Sequence, residues 1–170
     1  MLDYAGNAGT DDTGKFSWGR MGNGLDGVVV RRPVPGENPP VETAPRSPSV
    51  SLGRQITDGT SNTMLAGEKC LNIAFLGQHQ PDDDAGYWDG WDFDTIRWGY
   101  FQPSPDWDNS SAQFTGFVPL RAAFGGSHPS VFMTVRADGS VRPVRFSVDL
   151  AVFKTFCSRD DGGVVDSEDL

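Results

Sequence analysis

Apolar and polar positions alternate most regularly over residues 124–146, F-G-G-S-H-P-S-V-F-M-T-V-R-A-D-G-S-V-R-P-V-R-F. Two alternating runs flank Asp138-Gly139, and a D-G pair supplies the positive φ angles of a tight turn, so the stretch predicts a β-hairpin. A two-residue loop sets Val131 opposite Phe146, Met133 opposite Val144 and Val135 opposite Arg142. Val131, Met133, Val135, Val144 and Phe146 then share one apolar face. Pro143 has no N–H for the ladder, which predicts an edge position for the second strand. Beyond the hairpin, Leu150, Phe153 and Phe156/Cys157 recur at helical spacing. They predict a closing helix capped by Ser147 or Asp149 and packed on the sheet.

Upstream, D-G-T-S-N-T at 58–63 predicts a tight turn. Asp58 is expected to accept from backbone amides two or three residues on, and Gly59 to take a positive φ. Residues 63–68 read as a strand leaving that turn. The β-branched run at 28–32 predicts a short strand stopped by Pro33, and a further strand is expected around 113–118. A short helix or turn is expected over 49–56. Residues 1–27, rich in Gly, Asn and Asp, read as loop ordered by packing of Tyr4, Phe16 and Trp18. Residues 33–48 hold six prolines and read as an exposed loop. Residues 78–108 form an acidic and aromatic loop with little periodicity, held to the body of the domain by its aromatics. These elements predict one small α+β domain, dominated by an antiparallel sheet with a C-terminal hairpin and a closing helix.

Composition supports that reading. Among 170 residues there are 21 Gly and 12 Pro, which suits short strands and many turns better than a helical bundle. The net charge of −9 disfavours nucleic acid and anionic membrane surfaces as partners, since both require a basic patch. No apolar run approaches the roughly 18 residues of a bilayer span, and the start, Met1-Leu2-Asp3-Tyr4, lacks the marks of a signal peptide.

Two motifs carry a resemblance. His128 followed by nine residues and Asp138-Gly139 gives H-x9-D-G. Residues 56–69, I-T-D-G-T-S-N-T-M-L-A-G-E-K, form a second block that includes Asp58, Gly59, Thr60, Ser61, Asn62 and Glu68. Both resemble hallmarks of a large bacterial family, domain of unknown function 1559, the prepilin-type processing-associated H-x9-DG proteins. Weaker matches lie at Y-A-G-N-A-G (4–9) and W-D-F-D-T-I-R-W (91–98). The resemblance implies a pilin-like globular head, exported or in the cell envelope. It implies other pilin-like or secretion proteins as partners, and membrane contact only through an N-terminal prepilin helix. Such a helix precedes Y-A-G-N-A-G in the family, whereas this sequence opens almost at that region.

The residues themselves offer little catalytic chemistry. His128 is a candidate general base or metal ligand, yet His79 is the only other histidine and the two share no ligand-spaced motif. Ser127 beside it lacks the arrangement of a nucleophile, and neither G-x-S-x-G nor a P-loop is present. The acidic loop raises calcium, which takes roughly six to eight oxygen ligands. Asp82, Asp84, Asp89, Asp92 and Asp94 are the candidate ligands, although the spacing fails the EF-hand template. Cys70 and Cys157 would pair in an oxidising compartment, adding about 3–5 kcal/mol, or stay free as small buried apolar residues. The reading is therefore non-enzymatic: a pseudopilin-like or exported cell-envelope protein of a secretion- or pilus-type system. The rivals are a calcium- or carbohydrate-binding module on the acidic-aromatic loop, and a hydrolase built on His128.

Overall fold

The structure, a computed structural model, describes residues 2–10, 26–30, 50–87, 90–111 and 119–170. The expected strand at 113–118, the proline-rich stretch 33–48, Phe16, Trp18 and Asp89 lie outside the described residues or nearly so. Among the described residues the fold is a small α+β domain. Its main sheet is mixed and has five strands: β1 (Tyr4–Asn7), β2 (Met64–Glu68), β3 (Ile96–Arg97), β6 (Val131–Arg136) and β7 (Val141–Arg145). A separate parallel pair joins β4 (Ser104–Pro105) to β5 (Gly125–Gly126), and the helix α1 spans Leu150–Cys157. The strand order of the main sheet is β3-β1-β2-β6-β7, antiparallel except between β1 and β3.

The hairpin forms where expected, but one residue out of the expected register. Arg136 N–H donates to Ser140 O at 2.9 Å and Gly139 N–H to Arg136 O at 2.9 Å, which makes a three-residue loop, with Gly139 at φ 86°. Phe132 therefore faces Val144, and Met133 faces Pro143. A one-residue slip exchanges the two faces of a strand. Phe132, Thr134 and Arg136 are buried, whereas Val131, Met133 and Val135 are only half-buried. The cause lies next to the turn: Ala137 N–H donates to Thr63 O at 2.9 Å and Asp138 N–H to Thr60 O at 3.1 Å. Docking on the 58–63 turn takes Ala137 into the loop. Buried Arg136 is accommodated by stacking over Phe156, 5.7 Å from the ring centroid, and by donating to Ser167 Oγ at 2.9 Å.

β7 lies at the sheet's edge, as Pro143 requires, and Val141, Arg142, Pro143 and Arg145 are exposed along it. Arg145 N–H donates to Leu170 O at 2.8 Å, so the C-terminal residues cover part of that edge.

The helix also forms as expected. Asp149 Oδ1 accepts from Ala151 N–H at 2.7 Å, and Phe153, Phe156 and Cys157 are buried. They pack with Met64, Phe124, Phe132 and Val144 in the largest apolar cluster. Phe153 meets Phe124 and Phe132 edge-on at 6.2 and 6.0 Å. Burying a phenylalanine side chain contributes about 1.5–3 kcal/mol, so this cluster is the main source of apolar stabilisation. A second cluster gathers Ala8, Phe93, Ile96, Trp98 and Ala122, which fixes the acidic-aromatic stretch to the sheet as its aromatics predict.

Three expectations need correction. Residues 4–7 are not loop: they form β1 between β3 and β2, with Ala5 buried and Tyr4 58% exposed. Asn7 explains the placement. Its Nδ2 donates to Met64 O and Cys157 O, both at 2.8 Å, and its Oδ1 accepts from Gly9 N–H at 2.8 Å. One buried side chain thus ties β1 to β2 and satisfies an orphan carbonyl at the end of α1. Residues 28–30 are not a strand, since Val29 N–H makes a single bond to Asn7 O at 2.9 Å. The stretch read as loop at 78–108 contributes β3 and β4. The 51–55 region is a turn, with Arg54 and Gln55 N–H donating to Ser51 O.

Candidate functional site

The two sequence motifs meet in space. β2 ends at Glu68, and the ladder with β6 sets it beside Met133. Glu68 Oε2 accepts from Met133 N–H at 2.7 Å, a backbone donor that Glu68 satisfies where the strand pairing stops. Its other oxygen lies 3.4 Å from His128 Nε2, with His128 48% exposed and Glu68 17%. The glycines of F-G-G-S-H are required by close approach. A Cβ on Gly125 would sit 1.9 Å from Ser104 O, and one on Gly126 would sit 3.1 Å from Glu68 Oε2. Asp106, whose Oδ1 accepts from Leu71 N–H at 2.9 Å, is close enough to Glu68 and Asp3 to feel their charge. Burial, with those like charges adding to it, pushes its carboxyl above the usual range. The cluster therefore consists of one half-exposed imidazole against a carboxylate that is already holding a backbone amide.

The two D-G turns are joined to the rest of the fold by their carboxylates. Asp58 Oδ2 accepts from Asp161 N–H at 2.9 Å and Oδ1 from Gly162 N–H at 3.0 Å. The expected local bonds to residues just downstream are replaced by this long-range tie, which anchors the segment after α1. Gly59 has the expected positive φ of 96°. Asn62 Nδ2 donates to Asp58 O at 2.9 Å and Thr63 Oγ1 to Gly59 O at 3.1 Å, so the turn is internally bonded. Thr60 supplies the carbonyl that receives Asp138 N–H. Asp138 Oδ1 accepts from Ser140 N–H at 2.8 Å. Hydrogen bonding from Ser140, and then from the Ser61 hydroxyl, holds the Asp138 carboxyl down to about 2.

Of the candidate calcium ligands, the side chains of Asp82, Asp84 and Asp94 are drawn into other interactions. Asp82 Oδ2 lies 3.5 Å from Arg97 Nη2, and Asp82 Oδ1 lies 3.5 Å from Arg121 Nε. Asp84 Oδ2 lies 2.6 Å from His79 Nε2. Asp94 Oδ1 accepts from Ala85 N–H at 3.2 Å, and the backbone carbonyl of Asp92 accepts from Thr95 and Ile96 N–H. Among the described residues no group of three or more His, Cys, Asp or Glu side chains is placed to hold a metal ion. Three cations converge on this stretch: Lys69, Arg97 and Arg121, all buried. Lys69 Nζ is 2.8 Å from Asp83 Oδ1 and also donates to the carbonyls of Asp82 and Asp94, each at 3.2 Å. Burial, reinforced by the neighbouring Arg97, lowers the pKa of Lys69, and burial raises that of Asp82.

Sequence reasoning missed Lys69, Asp83, Arg97 and Arg121, because charged residues in a polar stretch read as a solvated face. The available signal was Lys69 itself, in the G-E-K-C-L run next to a strand. Asn7 was missed for the same reason. Cys70 and Cys157 are both free and buried. Their pairing, one of the two expectations, does not occur: Cys157 Sγ sits 3.9 Å from Met64 Sδ and Cys70 Sγ 3.4 Å from Pro105 O. Burial pushes the Cys70 thiol up to about 12 and that of Cys157 well above its ordinary value, which leaves both inert as nucleophiles. No helix among the described residues is long and apolar enough to cross a membrane.

A family model described as "Protein of unknown function (DUF1559)" matches residues 7–151. No curated protein and no solved structure matches the chain.

Proposed function

The chain belongs to the DUF1559 family, and from that premise we propose that it is a non-enzymatic, pilin-like globular head acting in the cell envelope or outside the cell, in a secretion- or pilus-type system. The observation that carries this reading is the work done by the motif side chains. Glu68 holds Met133 N–H, Asp58 holds Asp161 and Gly162 N–H, and Asn62 holds Asp58 O. Asp138 holds Ser140 N–H. These bonds give four of the motif side chains a structural role, which supports a non-enzymatic reading. A braced, acidic domain with a net charge of −9 suits a subunit that must persist outside the cytoplasm and meet partners through its surface.

The test is made in the native host on the endogenous protein, by cell fractionation, in-cell cross-linking and intact mass of the mature N-terminus. Recovery from the envelope or medium, cross-linked to pilin-like subunits, is the expected result. Confinement to the cytosol as a free monomer would overturn the proposal. A His128→Ala variant is expected to keep both location and partners.

A further inference from the structure

Lys69 and Asp83 face each other inside the protein, with Nζ and Oδ1 2.8 Å apart and side chains 0% and 1% exposed. We propose that this pair condenses into an intramolecular amide, Lys69 Nζ to Asp83 Cγ, which ties the end of β2 covalently to the acidic stretch. This inference is independent of the functional reading above.

The surroundings of the pair favour this reaction. A buried lysine next to an arginine is biased toward the neutral amine, the nucleophilic form. Leu2 N–H donates to the same Oδ1 at 3.0 Å, which polarises the carbonyl and stabilises negative charge developing on that oxygen. Asp83 Oδ2 is buried without a hydrogen-bond partner and is the oxygen that leaves. Asp94 is the proton carrier. Its backbone carbonyl accepts from Lys69 Nζ at 3.2 Å, Ala85 N–H holds its Oδ1 at 3.2 Å, and its Oδ2 is buried and unpartnered.

In the reaction one proton first passes within the ion pair from Lys69 Nζ to the Asp83 carboxylate, and the neutral amine then attacks Cγ. A C–N bond forms as the carbonyl pair moves onto Oδ1. The Asp94 carboxylate takes a proton from the nitrogen and delivers it to Oδ2, the C–O bond breaks, and one water departs. Nothing is oxidised or reduced, and no co-reactant is needed. The fixed approach of two groups in a dry interior supplies the effective concentration such a condensation requires. Its product also removes two buried charges while Asp82 keeps both Arg97 and Arg121 beside it.

Intact mass of the purified chain, followed by peptide mapping, decides the matter. The expected result is a protein one water lighter than its sequence, uncleaved by trypsin after Lys69, with a branched peptide joining Lys69 to Asp83. A Lys69→Arg variant is expected at full sequence mass. An Asp94→Asn variant, which keeps the ion pair and the bond from Ala85, is expected to fold and to form the link roughly a hundredfold more slowly. Succinimides at Asp26-Gly27, Asp58-Gly59, Asp89-Gly90, Asp138-Gly139 or Asp161-Gly162 also lose one water, but hydroxylamine cleaves them and leaves the amide intact. Wild-type protein at full sequence mass, or a water loss mapped to an Asp-Gly site, would overturn the proposal. An Asp94→Asn chain that linked at the wild-type rate would remove Asp94 from it.

Discussion

Around Phe132 and Phe153 the interior is apolar: rings stacked and edge-on, α1 laid across them, and the Arg136 guanidinium over Phe156. Around Lys69 the interior is ionic, with three cations and two carboxylates brought into contact from the residue after β2, from β3 and from the stretches on either side of β3. The two regions obey different rules. An apolar cluster tolerates imperfect partners and loses stability in proportion to the volume removed. An ionic cluster has overcome a large desolvation cost, so it depends on every partner being present. The first makes the sheet and helix adhere. The second fixes how a weakly periodic stretch is laid against them.

The largest expected effect falls on the apolar side. Phe153→Ala should cost about 3–5 kcal/mol in urea denaturation, by loss of buried area and the cavity left behind. A loss under about 1 kcal/mol would mean that α1 is only loosely docked. On the ionic side, Arg97→Met should cost about 3 kcal/mol because it takes from buried Asp82 one of its two guanidinium partners. Adding Asp82→Asn to that variant should restore part of the loss, and strict additivity of the two changes would deny that the cluster acts as a unit. Asp58→Ala comes next, at about 1–3 kcal/mol, since two backbone amides lose a charged acceptor. Faster hydrogen exchange confined to residues 161 and 162 would localise it. Asp149→Ala should cost about 1 kcal/mol through loss of the helix cap.

The smallest effect is a titration. With its carboxyl held at about 2 against an ordinary 3.8, Asp138 favours the folded state fully above pH 3.8. That contribution disappears as the pH falls through 2. An NMR titration of the Asp138 carboxyl should show a midpoint near 2, and Ser61→Ala should raise it. A wild-type midpoint at the ordinary value would mean the turn is not bonded as described.

The legible parts of the fold were those governed by local rules. Asp138-Gly139 announced a turn, Asp149 a cap, Phe153 and Phe156 a buried helical stripe, and each of these lies where its pattern set it. The hairpin register escaped because it is decided by contacts of Ala137 and Asp138 with residues some seventy positions earlier, Thr63 and Thr60. β1 escaped because Tyr4–Asn7 is short and contains glycine, and its parallel neighbour Ile96–Arg97 is shorter still and far away in sequence. The site was half legible. Glu68 and His128 were picked out by motif and do meet, whereas the pairing of Lys69 with Asp83 gives no signature, since buried and solvated charges look alike in a sequence.

The edge strand β7 bears on how copies of this domain can associate. Pro143 withholds an N–H from any incoming chain, arginines flank it, and the Arg145 N–H is already engaged by Leu170 O. At the opposite border β3 offers two residues, both buried. Among the described residues neither border presents a long, open strand edge, which disfavours extension of the sheet from one molecule into the next. Such borders favour association by docking of preformed bodies through loops and faces, a contact that parts without unravelling either member.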